Sequence, residues 1–522
     1  MKRNYYILGT LLFSMSLTTH ADSLRMSATE FAKDPAKVSA LQKGLEKMRA
    51  NNNAPPLSPE FRTSFNYWAN THGYFGTGTH ATDKDYYVNQ YRMPQCLQIY
   101  SKAVCDSYYK HIQNSTVPND GFTDEVWGTC QHSTPTYDNL NFLPWHRIML
   151  YFYERTVRKY VGQNYSLPYW DYYEEKAANG KGLALPQLVR GKQAGTLYDQ
   201  FRTPGLNTNI SAIDPDNASA AQAFKSDNFQ WFSKQLQSQP HGIMHCAVGK
   251  NCVLPDMGFV PIAGLDPVFY MHHANIDRLW QCWLNKKANG QPITLEWAKK
   301  NLGMPDSWYD TRYTFADENG NKVTMTIADV FTPGKIPVRY TNENACKVEA
   351  PVMSSQSAGK ANLFKMNHKP VSSNKTIELM GVTQKVALDP QTASFLENSS
   401  QLTQTTLSSG QTYLILDNVQ MIGTPNLTYK IYLSSKNKPE QKVYVSTINY
   451  FGVLDHDHGG HSSKGAMGQL VYQVSDQVKQ LGMPAEDLEV QFVATDLTLD
   501  QVKEELSSQG LSISQVRLET SK

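Results

Sequence analysis

Near residue 370 the sequence changes from aromatic-rich, helix-forming segments to short β-prone runs. The runs at 413–416 and 429–433 are examples, and turn-forming residues separate them, which is typical of an antiparallel sandwich or barrel. We therefore expect a mainly α-helical domain over 22–345 and a β-rich C-terminal domain over 371–522, joined by a linker over 346–370.

The first 21 residues have the organisation of a signal peptide. Lys2 and Arg3 precede an apolar stretch at 5–17, and Thr-His-Ala at 19–21 offers a small-x-small cleavage site. The apolar stretch is too short for a membrane span, which takes about 20 residues. We expect a cleaved N-terminal signal peptide, a secreted or periplasmic chain and no membrane span.

The overall charge excludes one class of partner. The chain has 49 basic and 47 acidic residues, a formal net charge of +2, and no strongly basic stretch. A nucleic-acid-binding protein normally carries a basic patch or stripe, so we expect no nucleic-acid partner.

Seven cysteines follow the predicted signal peptide, and an odd number in an exported protein needs an explanation. Two pairs are close enough in sequence to close small disulfide loops, and a third pair could also form a disulfide. These hypotheses assign no disulfide to Cys130. These pairs are Cys96 with Cys105, Cys246 with Cys252, and Cys282 with Cys346.

Two histidines at 241 and 245 have the spacing of one helix turn. Residues four apart lie on the same face of a helix, so both imidazoles can approach one ion. The pair alone is weak evidence, because two ordinary, partly buried histidines have the same spacing.

A second segment strengthens the case for a metal. Asp266 and Pro267 predict the start of a helix, which carries His272 and His273 about 100° apart. One of the two is expected to be a ligand and the other to support or pack. Asp277, one turn beyond His273, is a candidate to hold a ring N–H and fix its tautomer, or else a surface charge.

A further group of histidines lies upstream. His146 follows Pro144 in the first turn of another predicted helix, His132 lies in the preceding loop, and His72 is earlier still. The sequence therefore predicts two sites of three imidazoles each. Copper, zinc, iron and nickel all accept imidazole, so a zinc site remains open at this point.

Several segments together resemble the tyrosinase, catechol oxidase (polyphenol oxidase) and hemocyanin superfamily, the type-3 copper proteins. The resemblance covers about 60–345, and the region after 370 resembles, more weakly, the C-terminal domain of plant polyphenol oxidases. The matching segments are Phe142-Leu-Pro-Trp-His146-Arg147, Leu167-Pro-Tyr-Trp170-Asp171, His241-x-x-x-His245 and Asp266-Pro-x-Phe-x-x-His272-His273-x-Asn-x-Asp277-Arg278.

The resemblance implies a four-helix bundle around two copper ions, followed by the β-sandwich domain. It also implies a thioether bond between Cys130 and His132, which are arranged as Cys-x-His. The implied ligands are His72, His132 and His146 for the first copper and His241, His245 and His273 for the second.

Two features differ from the family pattern around the first copper and the general base. From His132 to His146 is 14 residues, where the family usually has nine, so His80 and His111 are kept as alternatives. Gln237 stands near the place of a water-holding glutamate, and a neutral amide is a poor general base.

Two further positions lie near the second copper. Gly242 follows His241, where some monophenol-hydroxylating members carry Asn, which weakens the case for monophenol hydroxylation. Val260 stands at the expected gate position, where plant enzymes often have Phe, and its smaller side chain is expected to leave the site more open.

The implied activity is oxidation of o-diphenols to o-quinones by dioxygen, with hydroxylation of monophenols left open. The alternative is dioxygen binding without catalysis, as in hemocyanin. The C-terminal domain is expected to shield the copper site. The histidine-rich segment 455–461 is either a surface metal site or a solvated loop.

Overall fold

The computed structural model describes residues 23–76, 81, 83–130, 140–348, 371–373, 375–380, 383–390, 410–423, 427–453, 465–495 and 510–521. The predicted signal peptide, residues 349–370 of the predicted linker, the alternative ligand His80 and the segment 455–461 lie outside these residues. None of the described helices is long and apolar enough to cross a membrane.

Helices dominate the chain up to residue 348, and α9 and α12 are the longest of them. The helices are α1 (Ala28–Phe31), α2 (Pro35–Ala50), α3 (Pro59–Arg62), α4 (Phe65–His72), α5 (Lys84–Tyr87), α6 (Met93–Leu97), α7 (Lys102–Asn114), α8 (Thr123–Val126), α9 (Phe142–Val161), α10 (Phe229–Leu236), α11 (Ile243–Val248), α12 (Val268–Ala288), α13 (Leu295–Asn301), α14 (Asp306–Tyr309) and α15 (Ile327–Val330).

Two small sheets complete this region. Strand β1 (Ser23–Arg25) pairs in parallel with β4 (Val338–Tyr340), so the two ends of the helical region lie side by side. Strands β2 (Arg312–Ala316) and β3 (Lys322–Thr326) form an antiparallel hairpin. A large cluster of buried apolar residues fills the space around α9 and α12 and includes Trp145 and Trp280.

The helix starts that carry histidines differ slightly from the prediction. Helix α12 begins at Val268, and the Asp266 carboxylate accepts a hydrogen bond from the Val268 N–H at 2.9 Å while it also pairs with Arg202. Asn141 precedes α9, but its side chain accepts from the Trp308 indole N–H at 2.8 Å and caps no helix N–H. Both side chains therefore bind residues distant in sequence, Asp266 in addition to its helix N–H and Asn141 in place of one.

After residue 370 the described chain is mostly β-strand, with one helix, α16 (Ser475–Leu481). The strands are β5 (Val371–Ser372), β6 (Ile377–Leu379), β7 (Gln384–Ala387), β8 (Asp389–Pro390), β9 (Thr412–Ile422), β10 (Tyr429–Ser435), β11 (Lys442–Thr447), β12 (Ala466–Gln473), β13 (Leu488–Ala494), β14 (Gly510–Ile513) and β15 (Gln515–Thr520).

These strands form two sheets. One has the order β11-β10-β13-β7, and the other has the order β6-β14-β9-β15-β5-β8, with β12 also paired to β9. Leu416 of one sheet and Ile431 of the other belong to the same buried apolar cluster. A helical region followed by a β-rich region is confirmed, whereas the four-helix bundle, the sandwich and the exact domain boundaries stay predictions.

Candidate metal centre

Five predicted ligands are buried in two adjacent groups of histidines. In each group the candidate ligand atoms lie within 4.8 Å of one another, and His273 belongs to both. His132 lies outside the described residues. The first group is His72, His146 and His273, and the second is His241, His245, His272 and His273.

Each group takes its histidines from separate elements. His72 ends α4, His146 lies in the first turn of α9, and His272 and His273 lie on α12. His241 lies in a turn over Gln237–Gly242 that joins α10 to α11, and its ring centroid is 4.8 Å from that of His245. The i, i+4 spacing therefore brings the two rings together, because the non-helical residue Gln239 precedes both histidines.

Four of the rings are oriented by backbone carbonyl groups. A carbonyl can only accept, so each Nδ1 carries the proton and each Nε2 is left with a lone pair for a metal. The Nδ1 distances are 2.8 Å from His72 to the Val260 oxygen, 2.8 Å from His146 to Phe142, 3.0 Å from His241 to Gln237 and 2.8 Å from His245 to Met257.

Burial also favours the metal-binding form of these rings. It lowers the pKa of His146, His241, His245 and His273 well below the ordinary value, and the neighbouring histidines lower it further. Neutral imidazole is the form that binds a metal ion. The donor set therefore fits one or more metals of the imidazole-binding class.

His273 lies between the two groups. Its ring stacks on that of His146 with centroids 4.2 Å apart and planes 3° apart, and its Nε2 is 3.3 Å from Nε2 of His245. His272 also lies among the rings, which the 100° separation on the helix did not predict. Its Nδ1 is 2.7 Å from the Tyr172 hydroxyl oxygen.

The three disulfides join the cysteines hypothesised from the sequence, and Cys130 takes part in none of them. The Cys130 sulfur is 3.6 Å from Nε2 of His146, at the edge of the first group of histidines. His111 lies elsewhere, because its Nε2 is 2.7 Å from the Asp256 carboxylate. Neither histidine group of the described residues includes it.

Asp277 does not contact a histidine ring through its described hydrogen bonds. Its carboxylate accepts from Arg147 at 2.6 Å and from the Tyr340 hydroxyl, and Arg25 lies 3.7 Å away. The role predicted for Asp277 is therefore corrected, because longer-range partners occupy its oxygens. It connects α12 to α9 one turn from His273.

Gln237 and Val260 both contact the centre through their backbone. The carbonyls of these two residues accept from His241 and His72, as described above. The Val260 side chain is buried in a cluster with Phe451.

The C-terminal region contributes residues that the sequence did not single out. The Phe451 ring stacks on the His245 ring with centroids 4.0 Å apart and planes 10° apart. A Cβ atom placed on Gly242 would lie 2.1 Å from the Asn449 side-chain nitrogen, so the absence of a side chain at 242 makes room for Asn449. No local sequence pattern marks these two residues, since their role depends on how the β-rich region packs.

Comparison with known protein families agrees with this geometry. A model described as the common central domain of tyrosinase matches residues 62–203 and 192–286, and a domain of unknown function, DUF7868, matches 370–509. Residues 62–286 therefore belong to the tyrosinase and polyphenol oxidase family of type-3 copper proteins.

Curated relatives match this chain over differing lengths. Tyrosinase HcTyr1 of Hahella sp. (strain CCB-MM4) is 28% identical over 43% of this chain and 49% of its own length. The latent form of a chloroplastic polyphenol oxidase from Prunus armeniaca is 27% identical over 44% of this chain and 40% of its own. The chain thus spans about half, or less, of the length of these relatives.

Solved structures of the family extend the likeness to almost the whole chain. A recombinantly expressed latent aurone synthase (polyphenol oxidase) has a TM-score of 0.56 at 17% identity and covers 95% of this chain and 89% of its own. Latent apple tyrosinase has a TM-score of 0.52 at 17% identity and covers 96% of this chain and 97% of its own. At these identities the likeness concerns the fold.

Proposed function

We propose that the chain is a copper-dependent oxidase that converts o-diphenols to o-quinones with dioxygen. The observation that carries the proposal is the pair of adjacent, buried histidine groups that share His273. In this proposal the first copper takes His72, His132 and His146, and the second takes His241, His245 and His273.

The electron balance of the reaction is the argument for copper over zinc. Each diphenol gives up two electrons and two protons on becoming a quinone, so two diphenols reduce one dioxygen to two waters. A bound pair of copper ions supplies the redox steps, which zinc cannot do because it has no accessible redox state. The protein keeps the ligand rings neutral and oriented.

Cys130 is proposed to form a thioether with His132. The short distance from its sulfur to Nε2 of His146 supports a position at the first copper. Such a bond would hold the His132 imidazole in place before the metal binds, which reduces the ordering that binding requires.

The C-terminal domain is proposed to shield the copper site. The Phe451 ring covers the face of His245, where a flat phenolic substrate would otherwise lie. The Asn449 carboxamide oxygen accepts from the Phe451 N–H at 2.9 Å, which braces the turn that carries the ring. A substrate would have to displace this turn before it could reach the metals.

Polar contacts strengthen the attachment of the shielding domain. The Gln239 carboxamide oxygen accepts from the Thr447 N–H at 3.1 Å and the Ser446 hydroxyl at 2.9 Å. Gln222 exchanges two hydrogen bonds with the backbone of Gln473, at 3.1 and 3.2 Å. Each such hydrogen bond contributes about 0.5–1.5 kcal/mol net of the bonds to water that replace it on separation, so together they favour the closed state.

Diphenol oxidation is preferred to monophenol hydroxylation in this proposal. A monophenol must lose its proton to bind as a phenolate, and the Gln237 amide cannot take up a proton. Val260 has a smaller side chain than Phe. We therefore propose that this gate admits phenols with larger substituents than a Phe at the same position would. We also propose export with a cleaved signal peptide, on the sequence pattern of residues 1–21.

Metal content and activity together test the proposal. The copper-loaded full chain is incubated with catechol and, separately, with 4-methylphenol, and quinone formation is followed by absorption. We expect quinone from catechol and much less from 4-methylphenol. A chain that binds two coppers and dioxygen but leaves catechol unchanged would be a carrier like hemocyanin.

The histidine doublet provides a sharper version of this test. His273→Ala is expected to lose the second copper and all oxidase activity, whereas the matched variant His272→Ala keeps at least part of its metal. The reverse pattern of metal content would show that His272 is the ligand.

A further inference from the structure

One segment of the chain, residues 250–260, orients a histidine of each group and is called the orienting segment below. The Met257 carbonyl accepts from Nδ1 of His245, and the Val260 carbonyl accepts from Nδ1 of His72, each at 2.8 Å. Every residue from 251 to 260 is buried. Because such a partner fixes the direction in which a ring presents its other nitrogen, the position of this segment sets the position of both Nε2 atoms.

The backbone of the orienting segment is unusually strained. Four of its residues have a side chain and yet a φ between +48° and +62°, namely Lys250, Asn251, Cys252 and Asp256. This left-handed conformation is unfavourable for a residue with a Cβ atom and persists where the surrounding structure enforces it. Contacts from outside the segment must therefore hold it in place.

Arg92 supplies two of these contacts, one near each end of the segment. Its Nη1 donates to the Cys252 carbonyl at 2.8 Å, and its guanidinium carbon lies 4.1 Å from the centre of the Phe259 ring. Phe259 also belongs to a buried apolar cluster with Ile112 of α7. These contacts lie on either side of the middle of the segment.

His111 contacts the middle of the segment from the last turn of α7. Its Nε2 is 2.7 Å from Oδ1 of Asp256, and its ring packs on Phe201 with centroids 4.2 Å apart. The Asp256 side chain is only 2% exposed, and its second oxygen makes no hydrogen bond to the described residues. His111 therefore holds a buried, strained residue that immediately precedes Met257.

We propose that His111 is a positioning residue of the metal centre: by binding Asp256 it holds the Met257 carbonyl where that carbonyl orients the His245 ring toward the second copper. The inference rests on the proposed function, because it takes His245 as a ligand. Asp256 is one residue from Met257 but four from Val260. Loss of the His111 contact should therefore weaken the second copper more than the first.

Stepwise removal of copper from the full chain with a chelator tests this role. His111→Leu removes the hydrogen bond, whereas His111→Gln retains an N–H near the position of Nε2. The second copper, identified as the one that His245→Ala loses, should bind about tenfold more weakly in His111→Leu and within about threefold of wild type in His111→Gln. Lys110→Ala, exposed on the same helix, is the control and should match the wild type.

A double-mutant cycle separates this contact from a general loss of stability. Asp256→Gly removes the carboxylate at a position whose positive φ glycine adopts without strain. If His111 acts through Asp256, adding His111→Leu to Asp256→Gly should weaken the second copper no further. Additive losses, or an unchanged copper affinity in His111→Leu, would overturn the proposal.

Hydrogen exchange of the metal-free chain tests the same contact without copper. The Phe259 amide donates to the Asp256 carbonyl at 2.8 Å, within the segment that His111 holds. We expect the amides of residues 253–259 to exchange faster in His111→Leu than in the wild type, while those of α12 keep their wild-type rates. Unchanged exchange over 253–259, or faster exchange in α12 as well, would overturn the proposal.

The two measurements also distinguish this inference from the proposed function. A wild-type chain that binds no copper would contradict the proposed function, and the exchange rates would still decide whether His111 holds the segment. If His111→Leu does not fold, Asp256→Gly carries the same expectations for copper affinity and for exchange.

Discussion

The Phe451 ring lies parallel to the His245 ring, with centroids 4.0 Å apart, so a side chain of the β-rich region covers a candidate copper ligand. The same ring is 5.6 Å from the His241 ring. Two residues that lie about two hundred positions earlier in the sequence are thus in contact with one aromatic side chain. Access to the metal centre and packing of the C-terminal region are therefore linked.

Removal of the Phe451 ring is expected to increase activity. An aromatic pair is worth about 1 kcal/mol beyond its buried area, so Phe451→Ala shifts the ratio of closed to open protein by roughly fivefold or more. The measurement is the rate of catechol oxidation at saturating copper. Glu378→Ala, at an exposed position of strand β6 in the same domain, serves as the control and is expected to stay near the wild-type rate.

A side chain at position 242 is expected to displace Asn449. The Gly242→Ala methyl group would lie 2.1 Å from the Asn449 nitrogen, closer than atoms can approach, so the closed state must loosen and the catechol rate should rise. Asn449→Ala in the same chain removes the clash and should return the rate toward that of Asn449→Ala alone. If Gly242→Ala were as slow as the wild type, the space that Gly242 leaves for Asn449 would have no role in packing the β-rich region against the metal centre.

Acid is expected to destabilise the metal-free protein. Burial lowers the pKa of His146, His241, His245 and His273 in the folded state, so these rings stay neutral while the same rings in the unfolded chain take up protons. Stability is therefore complete above the unfolded pKa of about 6.5 and falls below it, by up to about 1.4 kcal/mol per pH unit for each ring.

Chemical denaturation of the metal-free chain at pH 7.5, 6.5 and 5.5 measures this effect. The free energy of unfolding should fall over both steps, and by about three times as much between the two lower values as between the two higher ones. A flat profile down to pH 5.5 would mean that the rings are solvated in the metal-free state.

Loss of the Asp277 charge is expected to weaken the fold and the centre together. Asp277→Asn leaves Arg147 without its buried carboxylate, while Arg25 keeps Glu154 at 2.7 Å, and breaking a buried ion pair costs about 3–5 kcal/mol. Thermal unfolding and copper affinity should both fall. Glu30→Gln, which breaks an exposed pair with Lys33, is the control and should leave both measurements near the wild-type values, because exposed ion pairs contribute little.

Local patterns predicted much of the centre. The spacing of His241 and His245 and the helix that carries His273 follow from short-range periodicity, which the fold preserves. The contacts of Asp277 could not be predicted in this way, because its partners Arg25 and Tyr340 are far away in sequence. Helix periodicity places a carboxylate on a face but does not say which distant group meets it there.

The contacts between the two regions were beyond prediction from local patterns. Phe451 and Asn449 lie after β11 in a stretch that reads as an ordinary turn, and their role appears only when the β-rich region packs on α11. Tyr172 follows the Trp170-Asp171 motif by one residue, yet its contact with His272 depends on how that loop meets α12. Contacts between residues distant in sequence determine what these three residues do.

Metal stoichiometry of the purified full chain tests the central claim most directly. The account predicts two copper ions per chain, falling to about one in His273→Ala, with catechol oxidation present only when both are bound. A single zinc ion per chain, or two coppers retained in His273→Ala, would contradict it.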